Sequence, residues 1–290
     1  TPTFADSTWG DVVDGEDLVV RRAAVRALGP YNGSVVVVNP ATGRILTMVN
    51  QKVALTGAYQ PCSTIKLVAG LAGLSEGIID RETRLRLGRK LSMDLTTALA
   101  KSNNSYFANV GEKLGFDKVN YYGRLLGLGE KAGLDIAGES AGIFPEEKPK
   151  GVPVGMMTSF GESIGLTPLQ LAALVSSIAN GGTLYYLQYP RTQEEALNLV
   201  PKVKRKLEVE SQLPEMKPGM MGAVDFGTAR RAAYDANEPI FGKTGTCTDS
   251  RTHLGWFGSY NEIGSTKMVV VVLLTGGKNV SGPVAAGIPG

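Results

Sequence analysis

The sequence predicts an α+β fold: an antiparallel sheet flanked by helices, with a helical lobe inserted between its first and last strands. Two observations carry that prediction. Hairpin-like runs of β-branched residues stand near both ends of the chain, and most of what lies between has helical periodicity. Strands so far apart in sequence share one sheet only if the two ends of the chain meet. The 290 residues are expected to form a single domain, with the sheet drawn from about 30–60 and 238–278 and the lobe from about 63–236.

In order along the chain, Asp17–Leu28 reads as a short amphipathic helix with Leu18, Val25 and Leu28 on one face, stopped by Gly29-Pro30. Arg21 and Arg22 interrupt that face. Ser34–Asn39 (SVVVVN) and Arg44–Asn50 (RILTMVN) flank a Pro-Ala-Thr-Gly turn and form the first hairpin. Helices are expected at Ser63–Ser75, Asp94–Lys101, Ser105–Leu114, Val119–Leu126, Pro168–Asn180 and Lys217–Tyr234. Gln188–Met216, which contains PKVKRKLEVE, is polar and highly charged. It reads as a linker-like excursion with little core, and its basic run Lys202–Lys206 as a solvated face. Leu254–Tyr260 and Lys267–Thr275, around a turn at Asn261–Ser265, close the sheet.

Composition narrows the function. Hydrophobic residues make up 43% and charged residues 20%, as in an ordinary globular chain, and a net charge of +3 gives no footprint for nucleic acid. The 37 glycines are spread along the chain, which indicates many tight turns rather than a repeat. No apolar run reaches the roughly 18–20 residues of a membrane span, and Met268–Thr275 has the length of a buried strand. One His and two Cys provide no zinc-ligand cluster, so no metal is expected, nor is an organic cofactor implied. The count alone reads Cys62 and Cys247 as two small buried apolar residues. The chain opens Thr1-Pro2-Thr3 without a basic-then-apolar leader, so any encoded leader or anchor is expected to have been removed.

Three short motifs occur in order: Ser63-Thr64-Ile65-Lys66, Ser102-Asn103-Asn104 and Lys243-Thr244-Gly245-Thr246. Each alone is common; their contexts, a helix start, a helix–helix loop and a strand, make the trio informative. Pro61 marks a helix start, so Ser63 falls where unpaired N–H groups favour developing negative charge. Lys66, three residues on, shares its helix face. Apolar flanks (Ile65, Leu67, Val68, Leu71) and the second cation Lys243 would turn an ammonium into a usable base. A Ser–Lys pair can replace Ser–His in acyl transfer. His253, the only histidine, enters a strand without evident companions and reads as structural. Ser102 offers a hydroxyl for relaying a proton and could also cap the helix that follows. Asn104 can bind a substrate carbonyl or hold Lys66. Gly245 lets a substrate backbone approach the strand; Lys243, Thr244 and Thr246 can bind a carboxylate. The N–H groups of Ser63 and Thr246 could form an oxyanion hole.

These residues resemble the signature of penicillin-binding protein transpeptidase domains and serine β-lactamases. Gly33–Asn50 is similar to the opening hairpin of such transpeptidases, and Thr167–Gly182 (TPLQLAALVSSIANGG) to one of their helix-and-turn segments. Phe241–Ser259 and Met268–Gly277 are similar to their K-T-G strand and its neighbours. The resemblance implies a β-lactamase/transpeptidase-like fold and a D,D-transpeptidase that cross-links peptidoglycan stem peptides ending in D-Ala-D-Ala. Ser63 would be the acylated nucleophile, Lys66 its base, Ser102 the proton shuttle and Asn104 the substrate-orienting amide. Lys243, Thr244, Gly245 and Thr246 would hold the substrate. β-Lactam antibiotics would acylate Ser63 as mimics, and a glycosyltransferase of the cell-wall machinery is an implied partner. The setting would be extracytoplasmic, with membrane attachment only through a segment outside this sequence.

Departures from the family pattern keep rival readings open. Gly usually precedes the nucleophile and Ala often follows K-T-G-T; Cys62 and Cys247 stand there instead. Some carbapenem-hydrolysing class A β-lactamases join cysteines at the matching positions, so the resemblance implies a Cys62–Cys247 disulfide, which an extracytoplasmic setting permits. Class A enzymes deacylate with a Glu on a loop before the helix matching Thr167–Gly182. Glu194-Glu195-Ala196-Leu197-Asn198 copies that loop's pattern but follows the helix, while Glu146, Glu147 and Glu162 match no motif. A long-lived acyl-enzyme is therefore expected. The short interval from Ser63 to Ser102 suggests an open cleft, and Val284-Ala285-Ala286 should begin a terminal helix cut short. The rivals are a serine β-lactamase or D,D-carboxypeptidase, and a penicillin-binding sensor or scaffold domain.

Overall fold

The computed structural model describes residues 1–290. Asp17 opens the first helix, α1 (Leu18–Leu28), by accepting from the N–H groups of Val19 and Val20. Then come β1 (Gly33–Asn39), β2 (Arg44–Val49) and a short α2 (Gln51–Thr56). A 3-10 turn at Cys62–Ile65 runs into α3 (Lys66–Ser75), followed by a small ribbon of β3 (Leu85–Arg86) and β4 (Ser92–Met93). The lobe continues with α4 (Leu95–Lys101), α5 (Asn104–Leu114), α6 (Phe116–Leu125), α7 (Val154–Phe160) and α8 (Pro168–Ala179). A second ribbon, β5 (Thr183–Tyr185) and β6 (Val203–Lys206), encloses α9 (Gln193–Leu197). After α10 (Leu213–Asp225) the chain forms β7 (Ile240–Thr248), β8 (His253–Ile263), β9 (Thr266–Gly276) and α11 (Gly282–Ala286).

The main sheet has the order β2-β1-β9-β8-β7 and is antiparallel throughout. Its centre is the β1–β9 pair, where the two ends of the chain meet, as the split hairpins required. The period of two sorts the side chains: Val36 and Val38 join the core beneath α8, while Val35 and Val37 face the side covered by α1 and α11. α8 is buried along its whole length and starts in a Thr167–Gln170 capping box. β7 is left as an edge.

Several elements depart from expectation for local reasons. The helix expected at Lys217–Tyr234 starts at Leu213, with a proline in its first turn, and ends at Asp225 because Gly227 turns the chain against the Ala100 carbonyl, where any Cβ would collide. The helix expected at Val119 begins at Phe116, since Gly115 at φ 78° lets α6 start directly after α5. Asn103, not Ser102, caps α5 by accepting from the Tyr106 N–H. The expected Ser63 helix starts as a 3-10 turn, and α2 and α7 had no clear periodic signal. The 188–216 excursion contributes to the core through Leu207, Val209, Leu213 and Met216. Nor is its basic run wholly solvated: Lys204 and Arg205 both pair with Glu130, and Arg205 also reaches the Arg124 and Leu125 carbonyls.

Arg21 breaks the apolar face of α1 because its guanidinium is paired inside the protein. It meets Asp11 at 2.8 Å and Glu16 at 3.1 Å. Asp11 also accepts from the N–H groups of Asn50 and Gln51, while Glu16 accepts from Thr47, the Met48 N–H and Tyr189. This clasp fastens residues 11–21 to β2 and to the start of α2, the helix that leads into the Cys62 turn. Arg21→Met leaves two buried carboxylates without their cation and should cost about 3–5 kcal/mol. A urea unfolding midpoint unchanged from the parent would contradict that.

A disulfide joins Cys62 to Cys247, with Cα atoms 5.6 Å apart and 185 residues between them in sequence. It ties the turn at the head of α3 to the end of β7. Cys62 lies in the left-handed region at φ 54°, a conformation natural to Gly. Closing so long a loop should stabilise the fold by up to about 5 kcal/mol in the chain-entropy description. Reduction with dithiothreitol should lower the urea midpoint accordingly, and equal midpoints before and after reduction would contradict it.

Candidate active site

Three separate stretches of chain deliver polar groups to one dry point. The Cys62–Ile65 turn carries Ser63, whose N–H donates to no group of the protein. Lys66, the first residue of α3, is completely buried. Its Nζ lies 3.0 Å from Ser63 Oγ, 2.9 Å from Ser102 Oγ, 3.0 Å from the Ser102 carbonyl and 2.6 Å from Asn104 Oδ1. Ser102 ends α4 at φ 55°, and this left-handed turn accompanies the placing of both its oxygens on the lysine. Asn104 opens α5 directly afterwards.

Lys243 enters from β7 and is also fully buried. Its Nζ stands 2.8 Å from Ser102 Oγ and 2.9 Å from the Thr244 carbonyl. Ser102 Oγ is thus held between two amines. Gly245 packs so closely on the Cys62–Ile65 turn that a Cβ there would lie 3.0 Å from the Pro61 carbonyl oxygen and 3.2 Å from Cys62 Cβ. Thr246 Oγ1 accepts from the Gly282 N–H at 2.7 Å, and Thr244 Oγ1 lies 2.5 Å from Thr228 Oγ1.

Desolvation sets the proton affinity of this cluster. Burial pulls the Lys66 amine down to about 7. Lys243 falls well below the ordinary lysine value, first through burial and then through the charge of Lys66. No carboxylate acts on either amine to restore its charge. Lone-pair geometry then matters. The Ser102 carbonyl and Asn104 Oδ1 can only accept, so they take two of the Lys66 N–H groups. The remaining position on a neutral Nζ is a lone pair facing the Ser63 and Ser102 hydroxyls.

The structure therefore gathers Ser63, Lys66, Ser102, Asn104 and Lys243, with Thr244, Gly245 and Thr246 along the adjoining edge strand. It leaves out His253, whose Nδ1 meets Thr248 Oγ1 at 2.9 Å where β7 ends and β8 begins, with no hydrogen bond to the Ser63–Lys66 cluster. Ser259-Tyr260-Asn261, which repeats the pattern of Ser102-Asn103-Asn104, is also elsewhere: Ser259 donates to the Val270 carbonyl within the sheet. Glu146, Glu147, Glu162 and Glu194 make no hydrogen bond to Ser63 or Lys66. The supports of the cluster lie outside the three motifs. The buried Trp256 indole donates to the Gln60 carbonyl at 2.9 Å, and Gln60 Nε2 donates to the Phe160 carbonyl at 2.9 Å, fixing the approach to Ser63. A tryptophan expected in a buried strand is a hint of such a partner, since its N–H needs an acceptor. Thr228 and Gly282 carry no comparable signal.

The family model of the penicillin binding protein transpeptidase domain matches residues 33–289. Stage V sporulation protein D of Bacillus subtilis is 28% identical over 307 residues, covering 88% of this chain and 47% of that protein. The peptidoglycan D,D-transpeptidase MrdA of Haemophilus influenzae is 25% identical over 353 residues, covering 93% of this chain and 54% of its own. The chain thus spans about half the length of these curated relatives. Among solved structures, Pseudomonas aeruginosa PBP2 in complex with WCK 5153 aligns with a TM-score of 0.81 at 23% identity, covering 96% of this chain and 76% of that one. Penicillin-binding protein A of M. tuberculosis, an imipenem acyl-enzyme complex, aligns at 0.75 and 22% identity, over 93% of this chain and 76% of that one. With its sheet order, three motifs and nearly full-length family match in agreement, the chain belongs to the penicillin-binding protein transpeptidase domain family.

Proposed function

We propose that this chain is a serine D,D-transpeptidase acting outside the cytoplasm on peptidoglycan stem peptides that end in D-Ala-D-Ala. The observation that carries the reading is the Lys66 amine, dehydrated and fixed between the Ser63 and Ser102 hydroxyls. Neutral Lys66 accepts the Ser63 proton as Oγ attacks the carbonyl carbon of the penultimate D-Ala. The oxyanion forms between the Ser63 and Thr246 N–H groups. The proton passes through the Ser102 hydroxyl to the leaving amine, and terminal D-Ala departs. Its carboxylate is held by Thr244 and Thr246 beside Lys243, and Asn104 orients the peptide. An acceptor amine on a second stem peptide then attacks the Ser63 ester and completes the cross-link. β-Lactams enter the same first step and stop at the ester. A cell-wall glycosyltransferase would supply the strands being joined.

Hydrolytic release needs a base for water, and no carboxylate touches Ser63 or Lys66. A persistent acyl-enzyme is therefore expected. Intact-mass spectrometry after exposure to benzylpenicillin should show one drug mass added for hours, and none on Ser63→Ala. An adduct that disappears while drug is consumed would make the chain a β-lactamase; no adduct on the unaltered protein would refute the acylation reading. The acid limb follows from Lys66, which must be neutral to accept a proton. Its affinity near 7 means that acylation should slow about tenfold per pH unit well below that value and level off above it. A profile flat from pH 5 to 8 would remove Lys66 as the base. Lys66→Arg, charged at every pH, should lose about 10²–10⁴ in acylation rate.

A further inference from the structure

Both threonines of the K-T-G-T strand are held from behind. Thr246 Oγ1 accepts the Gly282 N–H at 2.7 Å, which occupies a lone pair and leaves its own proton free. Thr244 is 3% exposed and has a single hydroxyl neighbour, Thr228 Oγ1 at 2.5 Å. Thr228 is fixed in turn. Its N–H donates to the Ala100 carbonyl at 3.1 Å, and Gly227 before it is pressed onto that same carbonyl. Ala100 lies on α4, two residues before Ser102. The turn after α10 thus connects the helix that presents Ser102 to the strand that presents Lys243.

The geometry points to Thr228 as a positioning residue for carboxylate recognition. Its hydroxyl donates to Thr244 Oγ1 and so turns the Thr244 proton toward an anion on the open edge of β7. In the opposite polarity Thr244 would spend its proton on Thr228 and present a lone pair, which repels a carboxylate. An anion therefore selects the chain Thr228 O–H to Thr244 O–H to carboxylate, in which each bond polarises the next. With the Gly282 N–H acting likewise on Thr246, the strand presents two hydroxyl donors oriented before the substrate arrives. The inference rests on the proposed role of Thr244 and Thr246 in holding the terminal carboxylate, and adds a residue outside the three motifs.

The test uses two ligands that differ only at the anion, benzylpenicillin and its methyl ester, with acylation of Ser63 followed by intact mass. Thr228→Val should lower the second-order acylation rate for benzylpenicillin about fivefold, the range of one neutral hydrogen bond, and that for the ester less than twofold. Thr228→Ser should restore the parent rate for the acid. Thr228→Ala, which adds no bulk to the turn, should repeat the selective loss if the valine variant folds poorly. A parallel loss with both ligands would show that Thr228 only supports the fold, and unchanged rates would show that it does nothing here; either overturns the proposal. Absence of an adduct on the unaltered protein is a separate result, seen before any variant is made, and it overturns the acylation reading together with this one.

Discussion

A primary amine sealed from water is the point on which this structure depends. Lys66 Nζ has four polar neighbours drawn from three elements, and none is a carboxylate. In water such an amine would be protonated at neutral pH; here burial takes away the hydration that favours the charge. The groups that remain are oxygens, two of which can only accept. Most features of the lobe serve this arrangement. The 3-10 start of α3, the left-handed end of α4 and the immediate opening of α5 each set one group against the nitrogen. The apolar residues around α3 keep the solvent out.

The sheet supplies the opposing wall. β7 lies at its edge, so one side of the strand is fixed by β8 while the other stays open to an extended ligand. An edge strand is usually the loosest part of a sheet, and here it is restrained from several directions. Cys247 is bonded to the Cys62–Ile65 turn, Lys243 reaches into the lobe, and Thr244 and Thr246 are engaged by Thr228 and Gly282. Across the sheet, the Arg21 clasp fixes the start of α2, and Trp256 fixes the segment between α2 and Ser63. Rigidity at the site is built from contacts that lie outside the site.

Much of this was legible in the sequence because it rests on spacing. A serine and a lysine three apart on one helix face must meet, and β-branched runs at both ends of a chain imply a sheet closed by the termini. Gly245 reads as room for a substrate backbone, but the space beside it is taken by the protein's own turn, through Pro61, Cys62 and Thr64. What stayed hidden depends on groups distant in sequence. The charges of Lys204 and Arg205 looked solvated because Glu130, their partner, lies in another segment. Arg21 looked like an interruption of a helix face until Asp11 and Glu16 were brought to it by folding. Thr228 belongs to no motif, since a hydroxyl's worth is set by its neighbour. The handedness at Ser102 is invisible too: serine carries no signature of φ, and only the crowding of its two oxygens onto one nitrogen reveals why the backbone turns there.

The left-handed backbone at Cys62 makes the two halves of the disulfide unequal in what their replacement would do. Cys62 holds φ 54° with its side chain bonded to Cys247. Replacing Cys247 alone leaves a side chain at position 62 in a conformation that Gly adopts most freely. Replacing Cys62 with Gly keeps the turn intact and leaves a single thiol on the edge strand. The two cysteines are therefore not equivalent: position 62 can give up its side chain without disturbing the backbone, whereas removing Cys247 leaves a Cβ in the left-handed region with nothing bonded to it.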